Sequence, residues 1–205
     1  FEQFHCFHGA GHGIMAYFNN DLPKAVAVCM RLSIEYGKSP CLNGVFMENI
    51  VAGTTKGDHT TKWLSSDPHF PCNRFDKELF ILDQCYQMQT SWMSYLYKLD
   101  FDLIMSECSR APQQSVASCY RSFGKDIGLY VYRDPKKILH YCNRLSNNKK
   151  YYDACITGAL YDILDFWGFN LQNQGENFCK IVLPIGRKQC YQEIEKRKKN
   201  LEKQS

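Results

Sequence analysis

The spacing of eleven cysteines constrains this chain more than any other feature. They stand at positions 6, 29, 41, 72, 85, 108, 119, 142, 155, 179 and 190. After Cys6 they form five close pairs, 29/41, 72/85, 108/119, 142/155 and 179/190, separated by 12, 13, 11, 13 and 11 residues. No CxxC occurs, which removes support for zinc ribbons and thioredoxin-like redox motifs. Regular pairing without CxxC points to structural disulfides and so to an extracytoplasmic setting: secreted, periplasmic or cell-surface. A chain that starts at Phe1 and not at Met is consistent with removal of a leader or a longer N-terminal part.

The second cysteine of each pair, together with Cys6, advances in steps of 35, 44, 34, 36 and 35 residues. A period near 35 is that of paired-helix repeats, and the longer step marks one insertion. The insertion, a Gly-, Thr-, Ser-, Asp- and Pro-rich stretch over 52–71, predicts a long loop. Within each period two helices can be written. Helix A starts at an aspartate N-cap with seven residues between it and the cysteine, at Asp21, Asp100 and Asp134. A turn such as YGKSP or SNNKK follows, and helix B then carries its cysteine near its start. Gly9, Gly44 and Gly158, three residues after a B-helix cysteine, are expected to let helices approach closely. Strand signals are scarce. The fold class is therefore all-α: one domain over 1–205, a right-handed α-solenoid of about five to six hairpins stapled by disulfides.

Two disulfide registers satisfy this pattern. Bridges within hairpins join Cys29–Cys41, Cys72–Cys85, Cys108–Cys119, Cys142–Cys155 and Cys179–Cys190, and leave Cys6 over. Bridges between hairpins join Cys6–Cys29, Cys41–Cys72, Cys85–Cys108, Cys119–Cys142 and Cys155–Cys179, and leave Cys190. The first set is preferred, but spacing alone leaves both open.

Composition narrows the function classes. A 44% apolar and 14% aromatic content supports a packed core. The net charge of +4 owes much to a charged C-terminal helix over 187–204, read as a solvated face, so no nucleic-acid partner is expected. No run approaches the ~18 apolar residues of a membrane span. There is no G-x-S-x-G, P-loop or dinucleotide fingerprint.

This layout resembles the cysteine-stapled members of the Sel1-like and tetratricopeptide-like helical-repeat families. The resemblance covers the architecture of the whole chain. It implies that each repeat is a helical hairpin with its own disulfide and that the protein is exported. The cysteine spacing here is longer, and the usual repeat consensus is absent. The HGAGHG opening followed by GVFMEN is also similar to uncharacterised microbial exported proteins, a likeness that implies no function.

The chemistry-bearing residues cluster at the N-terminus, in FHCFHGAGHG. On a helix His8 and His12 are i and i+4 and share a face, with His5 three residues before His8. This is the geometry by which one helix offers two imidazoles to a zinc or copper ion, although the glutamate of HExxH is missing. Three glycines in five positions cost about 2–3 kcal/mol of helix propensity, which tight packing or a ligand must offset. Counting six and seven residues beyond each B-helix cysteine aligns His12, Glu48, Lys125, Asp126 and Asp162, expected along one concave wall. The wall suits a binding or scaffold module for a protein, peptide or glycan ligand, or a subunit of a larger assembly. Its binding residues would be His8, Lys125, Asp126 and Asp162, and its metal ligands His5, His8 and His12. A metal-dependent hydrolase or lyase would use His12 and Glu48 catalytically, Glu48 as general base. A thiol enzyme would use Cys6 as nucleophile with His8 or His12 as base. Trp92, Tyr95, Tyr97, Tyr130 and Tyr132 read as core, and His59 and His69 lie in the insertion.

Overall fold

The computed structural model describes residues 2–55, 61–165 and 172–202, and among them the chain is all-helical, with ten α-helices and no strand. It divides into two compact units: 1–100 with 111–115, and 101–110 with 116–205. The first holds α1 (Glu2–Tyr17), α2 (Leu22–Met30), α3 (Glu35–Thr54) and α4 (Leu79–Leu96). The second holds α5 (Phe101–Arg110), α6 (Val116–Tyr130), α7 (Pro135–Cys142), α8 (Lys149–Asp165), α9 (Gln172–Ile181) and α10 (Pro184–Glu202). No described helix is long and apolar enough to cross a membrane.

The A helices begin as their aspartates dictate. Asp134 accepts hydrogen bonds from the amides of Lys136 and Lys137, ahead of Pro135 in the first turn of α7. Asp21 accepts from the Lys24 amide in the same way. The B helices begin earlier than their cysteines suggest. α3 takes in the whole YGKSP stretch, including Pro40, and the turn is confined to Arg31–Ile34. The reason is tertiary: Gly37 lies so close to the Phe7 ring of α1 that a Cβ would meet it at 2.8 Å. Docking against α1 holds a segment of turn composition in helical form.

Five bridges join A and B segments within hairpins: Cys29–Cys41, Cys72–Cys85, Cys108–Cys119, Cys142–Cys155 and Cys179–Cys190. Their Cα atoms lie 5.3–5.7 Å apart. All ten cysteines are buried, while Cys6 is free and exposed. The alternative register (Cys6–Cys29, Cys41–Cys72, Cys85–Cys108, Cys119–Cys142, Cys155–Cys179) does not form, because antiparallel helices of one hairpin already bring each pair within bonding distance.

Three B helices end in the same connector. Thirteen and fourteen residues beyond Cys6, Cys85 and Cys119, the pairs Asn19–Asn20, Lys98–Leu99 and Tyr132–Arg133 adopt positive φ. The second residue of each pair bonds back five residues, Asn20 to Met15, Leu99 to Ser94 and Arg133 to Gly128. Asp21, Asp100 or Asp134 follows. Only the asparagines carry a sequence signal for this left-handed geometry, so two of the three turns were illegible locally.

The second unit repeats the first. Cys6, Cys29 and Cys41 correspond to Cys119, Cys142 and Cys155, 113–114 residues on. The most extensive helix pairings are α1 with α3 and α6 with α8. Each is a glycine-on-glycine crossing. A Cβ on Gly44 would fall on the His8 carbonyl, and one on Gly11 on the Cys41 carbonyl. Gly158 and Gly124 bear the same relation to the carbonyls of Arg121 and Cys155. The expectation for Gly44 and Gly158 holds, whereas a Cβ on Gly9 would meet nothing within 4 Å; Gly11, one and a half turns past Cys6, is the contact residue.

Of the aromatic residues expected in the core, Trp92 is buried, but Tyr95, Tyr130 and Tyr132 are exposed, Tyr132 by 93% because it sits on the left-handed connector. The insertion is stitched to α3 and α4 by buried amides: Asn49 donates to the Trp63 carbonyl, and Gln89 to those of Pro68 and Phe70. His69 Nδ1 lies 2.9 Å from the Tyr86 hydroxyl, in a packing role; His59 lies outside the described residues.

Candidate histidine site

The α1–α3 crossing sets the site. With Gly11 and Gly44 in backbone contact, His12 beside Gly11, His8 about one turn before it on α1 and Glu48 one turn past Gly44 on α3 face each other across a short gap. His12 Nδ1 stands 2.6 Å from Glu48 Oε2, and His12 Nε2 stands 3.2 Å from His8 Nε2. The His8 and His12 rings are 4.9 Å apart at 71°, and Phe4 stacks on His8 at 5.8 Å. The three polar side chains are half-buried, held by the crossing yet open to solvent on one side.

This geometry assigns protons. A carboxylate accepts only, so the His12 proton sits on Nδ1 and points at Glu48, which leaves the Nε2 lone pair outward, toward His8. Glu48 is thereby engaged as the group that orients His12. His5 is exposed and packs edge-on against Phe4 at 5.7 Å. Helical twist carries Cys6 about 160° around α1 from His8, so thiol and imidazole point to different sides. Among the described residues no group of three His, Cys, Asp or Glu side chains is arranged to hold a metal ion unaided.

The other residues expected on the wall belong to the second unit. Lys125 pairs with Asp126 at 3.3 Å, and Arg133 pairs with Asp162 at 3.2 Å. Asp126 and Asp162 are both buried, and Gly128 leaves the room that the Asp162 carboxylate fills. Burial, reinforced by the charge of Asp126, pushes the Asp162 carboxyl up to about 6 against the pull of Arg133 and Lys125. Burial also raises the Tyr161 hydroxyl, with Arg121 and Arg197 opposing.

The repeat register relates these two sets. Two and six residues beyond the first B cysteine stand His8 and His12 in one unit, Arg121 and Lys125 in the other. Seven residues beyond the next B cysteine stand Glu48 and Asp162. Both units therefore place two basic side chains on one helix and an acid on the helix that crosses it. Sequence reading missed Arg121 and Arg133. The first was legible from the register two places past the cysteine, whereas the second depends on a left-handed connector that carries no local signal.

Compared with known proteins, the chain matches no family model, no curated protein and no solved structure.

Proposed function

We propose that this chain is an extracytoplasmic, disulfide-stapled helical-repeat binding module whose ligand site is the His8–His12–Glu48 array. The observation that carries the reading is the Glu48–His12–His8 chain of contacts on the glycine crossing. Rigid, paired helices fix the array, solvent reaches it, and it replaces the permanently charged Arg121 and Lys125 of the other unit with side chains that donate, accept or coordinate. Ten buried, bridged cysteines fit an oxidising compartment. The resemblance to Sel1-like and tetratricopeptide-like proteins, with their repeat surfaces, supports a binding role over a catalytic one.

Thermal-shift measurements on the oxidised protein test this. A panel of short peptides, oligosaccharides and divalent metal ions is expected to contain a compound that raises the melting temperature of the wild type and leaves His12→Gln unmoved. A panel whose stabilising members act equally on wild type and variant would place the ligand site elsewhere.

A further inference from the structure

We propose that His8 and His12 together hold one divalent transition-metal ion through their Nε2 atoms, with Glu48 as the carboxylate that orients His12 from behind. This rests on the array being the ligand site and names its ligand.

The spacing of the two nitrogens is the first argument. Zinc–nitrogen bonds of about 2.0–2.1 Å at a tetrahedral angle put two ligand nitrogens about 3.3 Å apart. The two Nε2 atoms are 3.2 Å apart. The ring positions are the second. An in-line N–H···N bond of that length would put the ring centres about 5.5 Å apart. They stand at 4.9 Å, so the ring axes are bent away from the line between the nitrogens, as two ligands of one ion are.

Glu48 supplies the third. A metal-ligating histidine characteristically donates its other N–H to a carboxylate, which fixes its tautomer and raises its basicity. The 2.6 Å contact from His12 Nδ1 to Glu48 is that arrangement. The scaffold is the fourth, because both helices are held by the Gly11–Gly44 crossing and the site needs no reorganisation of the backbone.

Proton accounting is simple. Without the ion, His8 Nε2–H donates to the His12 Nε2 lone pair. Coordination moves the His8 proton to Nδ1, a change of tautomer in a neutral ring with no net release and no redox step. Two imidazoles leave further coordination positions for water or for a donor atom on a partner, so the ion would be a point of attachment and not a closed structural site. Imidazole ligands suit zinc and copper(II). The second unit is the built-in contrast, since Arg121 and Lys125 at the matching positions offer no lone pair.

Calorimetric titration of untagged, oxidised protein with zinc and with copper(II) is the test. One ion per chain is expected, with at least 100-fold weaker binding in His8→Gln and in His12→Gln. Glu48→Gln should bind with the same stoichiometry and 10- to 100-fold lower affinity, the usual loss for an orienting carboxylate. His5→Ala should bind as wild type does. Circular dichroism of each variant confirms that it is folded, and electron paramagnetic resonance of the copper form should show two coordinated imidazole nitrogens. No stoichiometric binding, or binding indifferent to His12→Gln, would overturn the proposal. Undiminished affinity in Glu48→Gln would remove the orienting role, and loss in His5→Ala would remove the two-ligand assignment. Should the thermal-shift panel find an organic compound that needs His12 while neither metal binds, the metal falls and the binding site stands.

Discussion

The two units solve one packing problem with different side chains. In each, a glycine five residues past a B-helix cysteine meets a glycine three residues past the next, and two helices cross with their backbones in contact. At matching register positions each unit carries two basic side chains on one helix and an acid on the helix that crosses it. In the second unit the acid is Asp162, fully buried and paired with Arg133 from the connector. In the first it is Glu48, half-buried and paired with His12. The second arrangement is a closed electrostatic clamp. The first carries imidazoles where the second has Arg121 and Lys125, pairs its acid with one of them and not with a connector residue, and leaves the group half-buried. One polar group is closed and the other half-open on the same kind of crossing, and that contrast is why the proposed ligand site is placed at His8 and His12.

The largest effect expected is on the feature both units share. Reducing the five bridges should unfold both, since each closes a loop of 11–13 residues and contributes about 3 kcal/mol. Removing Cys29–Cys41 or Cys142–Cys155 singly should cost similar amounts in urea denaturation. A bridge removed at no cost would show that one unit is held by other means.

Next come the crossings. Gly44→Ala and Gly158→Ala each force a Cβ onto a backbone carbonyl, and each should lose about 3 kcal/mol. Gly9→Ala has open space and should be neutral or gain up to about 1 kcal/mol of helix propensity. Clearly unequal effects of Gly44→Ala and Gly158→Ala on the denaturation midpoint would break the equivalence of the two crossings, and a Gly9→Ala loss as large as that of Gly44→Ala would show that backbone contact is not the cause.

Asp162 gives the second unit a pH dependence of its own. The Asp162 carboxyl is raised from 3.8 to about 6 in the folded chain, so the native state holds a proton that the unfolded chain has released. Its stabilising contribution is full below about pH 4 and is lost as pH rises through 6, a change of about 2–3 kcal/mol. Asp162→Asn should flatten that component of the pH profile of stability. A profile unchanged by the substitution would mean that Asp162 is not the group titrating.

The smallest effect compares two matching cysteines. Cys119→Ser breaks a buried bridge and should cost about 3 kcal/mol. Cys6→Ser alters an exposed, unbridged thiol and should stay within about 0.5 kcal/mol of wild type. A large loss on Cys6→Ser would assign that thiol a partner.

Helix type and capping were legible because they follow from short-range rules. Asp21 and Asp134 cap because an aspartate before a proline-containing first turn has few alternatives, whereas the cysteine spacing only made the within-hairpin bridges the preferred of two registers. Glu48 was placed opposite His12 by counting from the cysteines, and the structure joins them. Other features resisted. YGKSP has the composition of a turn, but docking against Phe7 holds it in α3. Tyr132 has the spacing of a core residue, yet the left-handed connector turns it outward. Gly9 and Gly11 are equivalent to any propensity scale, and only the partner helix distinguishes them.

The sequence by itself determined an all-helical chain and its hairpin period, since periodicity, capping and cysteine spacing act over a dozen residues. Only the tertiary structure decided which disulfide register forms, which glycines carry the crossings, and that Glu48 reaches His12 Nδ1. Those outcomes depend on contacts between helices some 36 residues apart, where close approach and burial outweigh local preference.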